Sequence, residues 1–158
     1  TEEHVIITGT LSKSLAAQGG VVLATPDVRE HLVNTARPFI YDTGLAPASA
    51  GAALAALDVL REQPALPARL HANAARLAHA CGVPTPVGAV MSVRMPGPHE
   101  AVAAVEKARA HGIRIGCFRP PSTPDGSSRL RLTAHADHSD HDLDRACTVL
   151  GTLTGGRG

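Results

Sequence analysis

The sequence predicts an α/β fold in two parts, residues 1–63 and 64–158. Two observations carry the first part. A pair of apolar, β-branched runs, Val5-Ile6-Ile7 and Val21-Val22-Leu23, brackets a loop of small residues, and an alanine-rich helical stretch starts at Pro47. The second part rests on a change of pattern near residue 84, after which the chain reads as strand, helix, strand, strand, helix.

Residues 5–8 and 21–24 read as strands of near-continuous apolar character, as in a sheet covered on both faces. Thr25 and Pro26 read as the N-cap and first residue of a helix to about residue 36, burying Val28, Leu32 and Val33. Residues 37–47 read as a loop holding two of the three aromatic residues. Pro47 opens the alanine-rich helix, which runs to about Arg61 and is closed by Pro64. Its small residues would let a neighbouring backbone approach closely. Pro67 begins another helix, with Gly82 at its C′ position.

A strand over residues 89–94 follows, then a helix over 98–111 stopped by Gly112, and strands over 113–117 and 129–134. Ser139, with Asp142 three residues on, caps a last helix that places Leu143, Ala146, Cys147 and Leu150 on one face. The glycine-rich tail, residues 155–158, reads as frayed.

With 158 residues, 44% hydrophobic, the chain can bury a real core, and with 2% aromatics that core is built from Ala, Leu, Val and Ile. The net charge of +1, from 15 basic and 14 acidic residues, points away from nucleic acid and from an anionic membrane surface as partners. No apolar run approaches the ~20 residues of a membrane span. Cys81, Cys117 and Cys147 are far apart, odd in number and form no C-x-x-C, so they read as buried thiols in a reducing cytoplasm. Thr1-Glu2-Glu3-His4 runs straight into a strand with no initiator Met or leader peptide, an opening that reads as the latter part of something longer.

The chemistry centres on Thr8-Gly9-Thr10-Leu11-Ser12-Lys13-Ser14-Leu15-Ala16-Ala17-Gln18-Gly19-Gly20. One lysine lies in a small-residue loop, with hydroxyls at Thr10, Ser12 and Ser14 suited to an anionic group. Burial there would favour the neutral, nucleophilic amine. A phosphate-cradling NTPase loop is excluded, because Ser12 stands where that motif needs a glycine before the lysine. A solvated loop lysine and a Schiff-base lysine remain as readings of the residues alone.

The second chemical stretch runs over residues 119–133, where three prolines stiffen a loop and Asp125-Gly126 turns it into a strand. Period-two alternation puts Arg129, Arg131 and Thr133 on one face and Leu130 and Leu132 on the other. A guanidinium on a rigid strand suits bidentate capture of a carboxylate. A solvated strand face is the plain alternative.

Both stretches resemble the α-oxoamine synthases, a family of fold-type I pyridoxal-phosphate enzymes. Thr10-Leu11-Ser12-Lys13-Ser14-Leu15-Ala16 with Gly19-Gly20 is similar to the family's cofactor-attachment signature, and Arg119-Pro120-Pro121-Ser122 through Arg131-Leu132 to its C-terminal signature. The resemblance covers essentially the whole chain. It implies the end of a large-domain sheet and a linking helix over residues 1–63, then a small C-terminal α/β domain over 64–158. It implies pyridoxal 5'-phosphate as cofactor, Lys13 as the catalytic lysine, and Thr10 and Thr43 as cofactor contacts. Arg131 is implied to grip the amino-acid carboxylate, Ser122 to line the substrate site and Arg119 to make a secondary contact.

The segment Arg37-Pro38-Phe39-Ile40-Tyr41-Asp42-Thr43-Gly44-Leu45-Ala46-Pro47 points, within that family, to condensation of L-alanine with a pimeloyl thioester of coenzyme A or of a carrier protein, by a cytoplasmic homodimer. A sister enzyme using glycine or serine, or a non-catalytic C-terminal fragment, is the alternative.

Two departures stand out. Asp42 occupies a position where the family usually carries a hydroxyl, so only Thr43 takes the phosphate role and Asp42 is expected to point away. The family's ring-stacking His, pyridine-nitrogen Asp and much of its phosphate cup precede this stretch, so the 158-residue chain alone is expected to be inactive. His135, His138 and His141, amid Asp137, Asp140, Asp142 and Asp144, read as a solvated acidic helix start rather than a metal cluster.

Overall fold

A computed structural model describes residues 4–155; the expected fraying of 156–158 lies outside the described residues. The chain divides into two compact units, Thr1–Pro64 and Ala65–Gly158.

In the first unit, β1 (Ile7–Thr10) and β2 (Gly20–Leu23) form an antiparallel hairpin with Ile7 opposite Leu23 and Thr10 opposite Gly20. The first strand begins and ends two residues later than the sequence suggests. The expected burial is not found: Ile7, Val22 and Leu23 are 47%, 49% and 50% exposed. An apolar run on both faces calls for cover on both faces, and among the described residues of this unit nothing supplies it. Helix α1 (Pro26–Thr35) starts at the Thr25 N-cap. It leaves Val28 and Leu32 half-buried and Val33 exposed, so its expected apolar face is not buried either.

The loop expected after it contains a short helix, α2 (Arg37–Tyr41). Pro38 in its first turn has no N–H to leave unpaired, and the Ile40 N–H donates to the Ala36 carbonyl at 3.1 Å. Helix α3 (Pro47–Glu62) fills the alanine-rich stretch, and its small residues are mostly exposed, with Ala53 buried. Leu11 and Ala53 are the buried apolar residues of this unit among those described.

The second unit has a conventional core. Helix α4 (Leu66–Ala80) ends where Gly82 takes φ +66°, letting the Val83 N–H reach back to the Ala78 carbonyl at 3.0 Å. Strands β3 (Val90–Met95), β4 (Gly116–Phe118) and β5 (Ser128–Thr133) form an antiparallel sheet in the order β3-β5-β4. Helix α5 (Pro98–Ala110) lies between β3 and β4 in the chain, and α6 (Asp140–Thr154) closes it.

The β4 strand starts later than residue 113 because the Ile113 N–H is taken by the Ala108 carbonyl at the end of α5. Met91, Val93, Leu130 and Leu132 project from one sheet face into a core with Ala74, Leu77, Ala101, Leu143 and Leu150 of the three helices. Leu143 and Leu150 are buried on α6, with Ala146 and Cys147 half-buried beside them, and the Ser139 hydroxyl accepts from the Asp142 N–H at 3.1 Å as the expected cap. Cys81 is buried, but Cys117 and Cys147 are half-buried, so the thiols are not uniformly interior as the sequence suggested.

Candidate active site

The hairpin positions the lysine. Between β1 and β2 the loop closes on its own backbone: Leu11 N–H to the Gly19 carbonyl at 2.9 Å, Ala17 N–H to Leu11 at 2.9 Å and Ala16 N–H to Lys13 at 3.0 Å. Leu11 is buried beneath it. Two backbone positions are unusual. Gly19 has φ +106°, and a Cβ there would fall 2.7 Å from the Leu45 side chain. Ala16 has φ +48°, the left-handed region that costs a residue with a Cβ about 1–2 kcal/mol. Such strain is kept where surrounding structure holds it, commonly at functional loops.

Lys13 is exposed in this loop, contrary to the burial expected. Its Nζ donates to the Ser12 hydroxyl at 3.4 Å. Ser12 and Thr10 hydroxyls are 2.7 Å apart, and the Ser12 N–H donates to Thr10 Oγ1 at 3.2 Å. A primary amine and two coupled hydroxyls thus share one small-residue loop. Thr43 is exposed in the same unit, just past α2, and Asp42 ends that helix with its N–H on the Pro38 carbonyl at 3.0 Å.

In the second unit the helix-free sheet face carries the arginines. Ladder partners share a face, so Ser92, Arg131 and Gly116 form one row and Arg94, Arg129 and Phe118 the next. The two β5 arginines differ sharply. Arg129 Nη2 donates to Asp125 Oδ2 at 2.6 Å, its Nε to the Ser127 hydroxyl at 2.8 Å and its Nη1 to the Ser92 hydroxyl at 3.3 Å. Asp125 also accepts from the Ser127 hydroxyl at 2.7 Å and the Ser127 N–H at 3.2 Å. Hydrogen bonds from Arg129 and then from Ser127 hold the Asp125 carboxyl well below the usual carboxylate range.

Arg131, by contrast, has no hydrogen-bond or ion-pair partner among the described residues and lies 6.0 Å from the Phe118 ring centroid. Gly116 and Ser92 on either side leave its planar fork room. An open guanidinium on a strand between two small residues is built to take a carboxylate in two parallel bonds.

Arg119 and Ser122 are exposed in the loop leading to β5, joined by a Ser122 N–H to Arg119 carbonyl bond of 2.8 Å. The Asp125–Ser127–Arg129 ring was missed in sequence reading. Its signal was an Asx turn followed by serine and arginine at two-residue steps. The acidic residues near His135, His138 and His141 have structural work: Asp140 and Asp144 each take a nitrogen of Arg76 at 2.6 Å, and the Asp142 carboxylate accepts from the hydroxyl of Ser139, the cap of α6, at 2.7 Å.

The match to known families follows this geometry. Residues 1–150 match the family model for aminotransferase class I and II, and the chain belongs to that family. It matches fold-type I pyridoxal-phosphate enzyme structures as a mixed α/β fold. It is 54% identical over 150 residues to the 8-amino-7-oxononanoate synthase of Mycobacterium sp. (strain JLS), covering 94% of this chain and 39% of that protein. Against the protein of the same name from Mycobacterium leprae (strain Br4923) it is 50% identical over 153 residues, covering 96% of this chain and 40% of the relative.

Among solved structures it resembles Sphingomonas wittichii serine palmitoyltransferase, with TM-score 0.83 and 26% identity over 95% of this chain and 40% of that one. It also resembles 8-amino-7-oxononanoate synthase from Francisella tularensis, with TM-score 0.77 and 25% identity over 96% of this chain and 46% of that one. The chain therefore spans about two fifths of the length of the curated relatives it matches.

Proposed function

We propose that this chain is the C-terminal part of an 8-amino-7-oxononanoate synthase, which condenses L-alanine with a pimeloyl thioester, of coenzyme A or of a carrier protein, with loss of carbon dioxide, in biotin biosynthesis. The observation that carries the reading is the 54% identity to a protein of that name across 94% of this chain. The cofactor is pyridoxal 5'-phosphate, and the exposed Lys13 amine with the Thr10 and Ser12 hydroxyls fits it chemically. When bound, the cofactor supplies the electron sink that makes an amino-acid Cα–H acidic.

This chain's residues do the rest of the work assigned to them. Lys13 Nζ holds the cofactor and, once displaced by the amino acid, takes the Cα proton as a general base. Thr10 and Thr43 bind the cofactor through their hydroxyls. Arg131 holds the alanine carboxylate with two N–H donors, which fixes the direction of the Cα–H bond. Ser122 and Arg119 contact the substrate from the loop before β5. The alanine Cα would then form a bond to the thioester carbonyl carbon as the C–S bond breaks and the thiolate leaves; the carboxylate departs as carbon dioxide, and a proton returned to Cα takes up the electron pair left there. Residues 1–63 belong to the cofactor-binding large domain with its linking helix, and 64–158 to the small C-terminal domain.

The full-length protein is a cytoplasmic homodimer, and the exposed Phe39, Ile40 and Tyr41 are consistent with burial by residues outside this chain. Among the described residues no helix is long and apolar enough to cross a membrane. On this reading turnover is expected of the full-length protein and not of the 158-residue chain alone. Borohydride reduction of the full-length, cofactor-loaded protein followed by peptide mapping tests the reading. Label on the Lys13 peptide, and thiol release with L-alanine in preference to glycine or serine, are the expected results. Label on another lysine overturns the assignment.

A further inference from the structure

Arg94, Arg129 and Arg131 crowd one sheet face. Arg129 and Arg131 are two residues apart on β5, about 6.6 Å along the strand at about 3.3 Å per residue. Arg94 lies directly across from Arg129, a placement that sets like charges side by side. Asp125 is the acidic group that answers Arg129. Both its oxygens are engaged, one by Arg129 and one by Ser127, and the Ser127 hydroxyl in turn receives Arg129 Nε. The pair is only partly exposed, 35% for the Arg129 side chain and 47% for Asp125, so both partners are fixed without being removed from solvent. Arg129 reaches back to Ser92, the immediate neighbour of Arg131, and so brings its charge beside the open guanidinium.

We propose that Asp125 is a specificity-determining positioning residue: by neutralising and tethering Arg129 it leaves Arg131 as the one open guanidinium of β5, so that the face accepts an amino acid with a single carboxylate and disfavours a dicarboxylic one. A second carboxylate reaching along β5 would meet an Arg129 already bonded to Asp125 instead of a free guanidinium, which leaves Arg94, across the ladder on β3, as the other unpaired cation of the face among the described residues. With the tether gone, Arg129 is a second anion receptor one step along the same strand face. The proposal rests on Arg131 being the amino-acid carboxylate receptor.

The test uses the full-length, cofactor-loaded protein and equilibrium binding rather than turnover. L-alanine, L-aspartate and L-glutamate are titrated by calorimetry against wild type, Asp125→Asn, Asp125→Asn/Arg129→Ala, Arg129→Gln and Arg131→Ala. Asp125→Asn is expected to raise aspartate or glutamate affinity relative to alanine by about tenfold, and Arg129→Ala in that background to abolish the gain. An unchanged ratio in Asp125→Asn, or a gain that survives without Arg129, overturns the proposal. Should Asp125→Asn not fold, Arg129→Gln decides: alanine affinity within about twofold of wild type supports the proposal, and a loss as large as that of Arg131→Ala overturns it. Alanine binding that survives Arg131→Ala overturns the receptor assignment itself, whatever the Asp125 variants do.

Discussion

Gly116 faces Arg131 across the β4–β5 ladder, and a Cβ at Gly116 would lie 3.5 Å from the Arg131 Cβ and 3.8 Å from the Phe118 ring. Those are ordinary contact distances, so Gly116→Ala is expected to fold and bind amino acid normally. Gly116→Val adds carbons where the Arg131 stem and Phe118 already lie. Overpacking of this kind costs about 1–3 kcal/mol, and here it is relieved by moving Arg131. Calorimetric titration with L-alanine checks this: the valine variant loses affinity and the alanine variant does not. Equal behaviour of the two would mean that the Gly116 slot does not position the guanidinium.

Arg131→Ala is expected to weaken alanine binding by about 2–5 kcal/mol, largely by leaving a carboxylate without its partner. Arg129→Ala is expected to do far less to alanine binding and to loosen the turn at Asp125 instead. Comparable losses of alanine affinity from both variants would assign the face to general charge rather than to one receptor.

The alternation over 129–133 was readable because its period of two is fixed by strand geometry, and Leu130 and Leu132 fall inside accordingly. Which of the two arginines stands open was not readable from that pattern. It depends on Asp125 reaching Arg129 around the turn at Gly126, whose φ is +67°. The helix over 98–110 and its stop near Gly112 were legible from Pro98 and the glycine. The short helix α2 was not, because Pro38 reads equally as loop and as first helical turn. Burial at Val22 and Leu23 was misjudged for a different reason: the apolar pattern reports what a strand needs to have covered, not what covers it. Lys13 followed the same logic, with its motif legible and its exposure not.

Ala16 offers a test of the lysine loop. Its φ of +48° is natural for glycine, so Ala16→Gly is expected to raise stability by up to about 1 kcal/mol while keeping the loop hydrogen bonds. Lys13→Ala removes an exposed side chain and is expected to leave folding unchanged while abolishing turnover of the full-length protein. Circular dichroism melts of the two variants check the stability arm. Destabilisation by Ala16→Gly would show that the left-handed residue is not strained.

Acid should loosen the β5 turn. The folded-state carboxyl of Asp125 is depressed, by Arg129 and then Ser127, so its protonation is linked to losing those bonds. A group with a depressed folded value contributes fully above its ordinary range, near pH 4, and loses the contribution as pH falls below it. The Asp142 carboxyl, depressed mainly by the Ser139 hydroxyl at the α6 cap, follows the same sign. Carbon-detected NMR titration of the two carboxyl groups checks both, with midpoints expected below those of free aspartate. Ordinary midpoints would mean that these hydrogen bonds are not held in solution.

The two units should differ in how they resist unfolding. Leu130 is fully buried in β5 and contacts a core assembled from α4, α5, α6 and the sheet, so Leu130→Ala leaves a cavity that cannot collapse and costs about 2–5 kcal/mol. Leu54 on α3 is 62% exposed, so Leu54→Ala removes little buried surface from this chain and is expected to stay within about 0.5 kcal/mol. Hydrogen exchange should follow the same division, with the slowest amides in β3 and β5 and faster exchange in the β1–β2 hairpin, whose flanking side chains are solvated. Urea melts of the 158-residue chain give the comparison directly. A loss from Leu54→Ala as large as that from Leu130→Ala would mean that α3 is covered in solution, and the exposed apolar surface of the first unit would then belong to an assembly of this chain with itself.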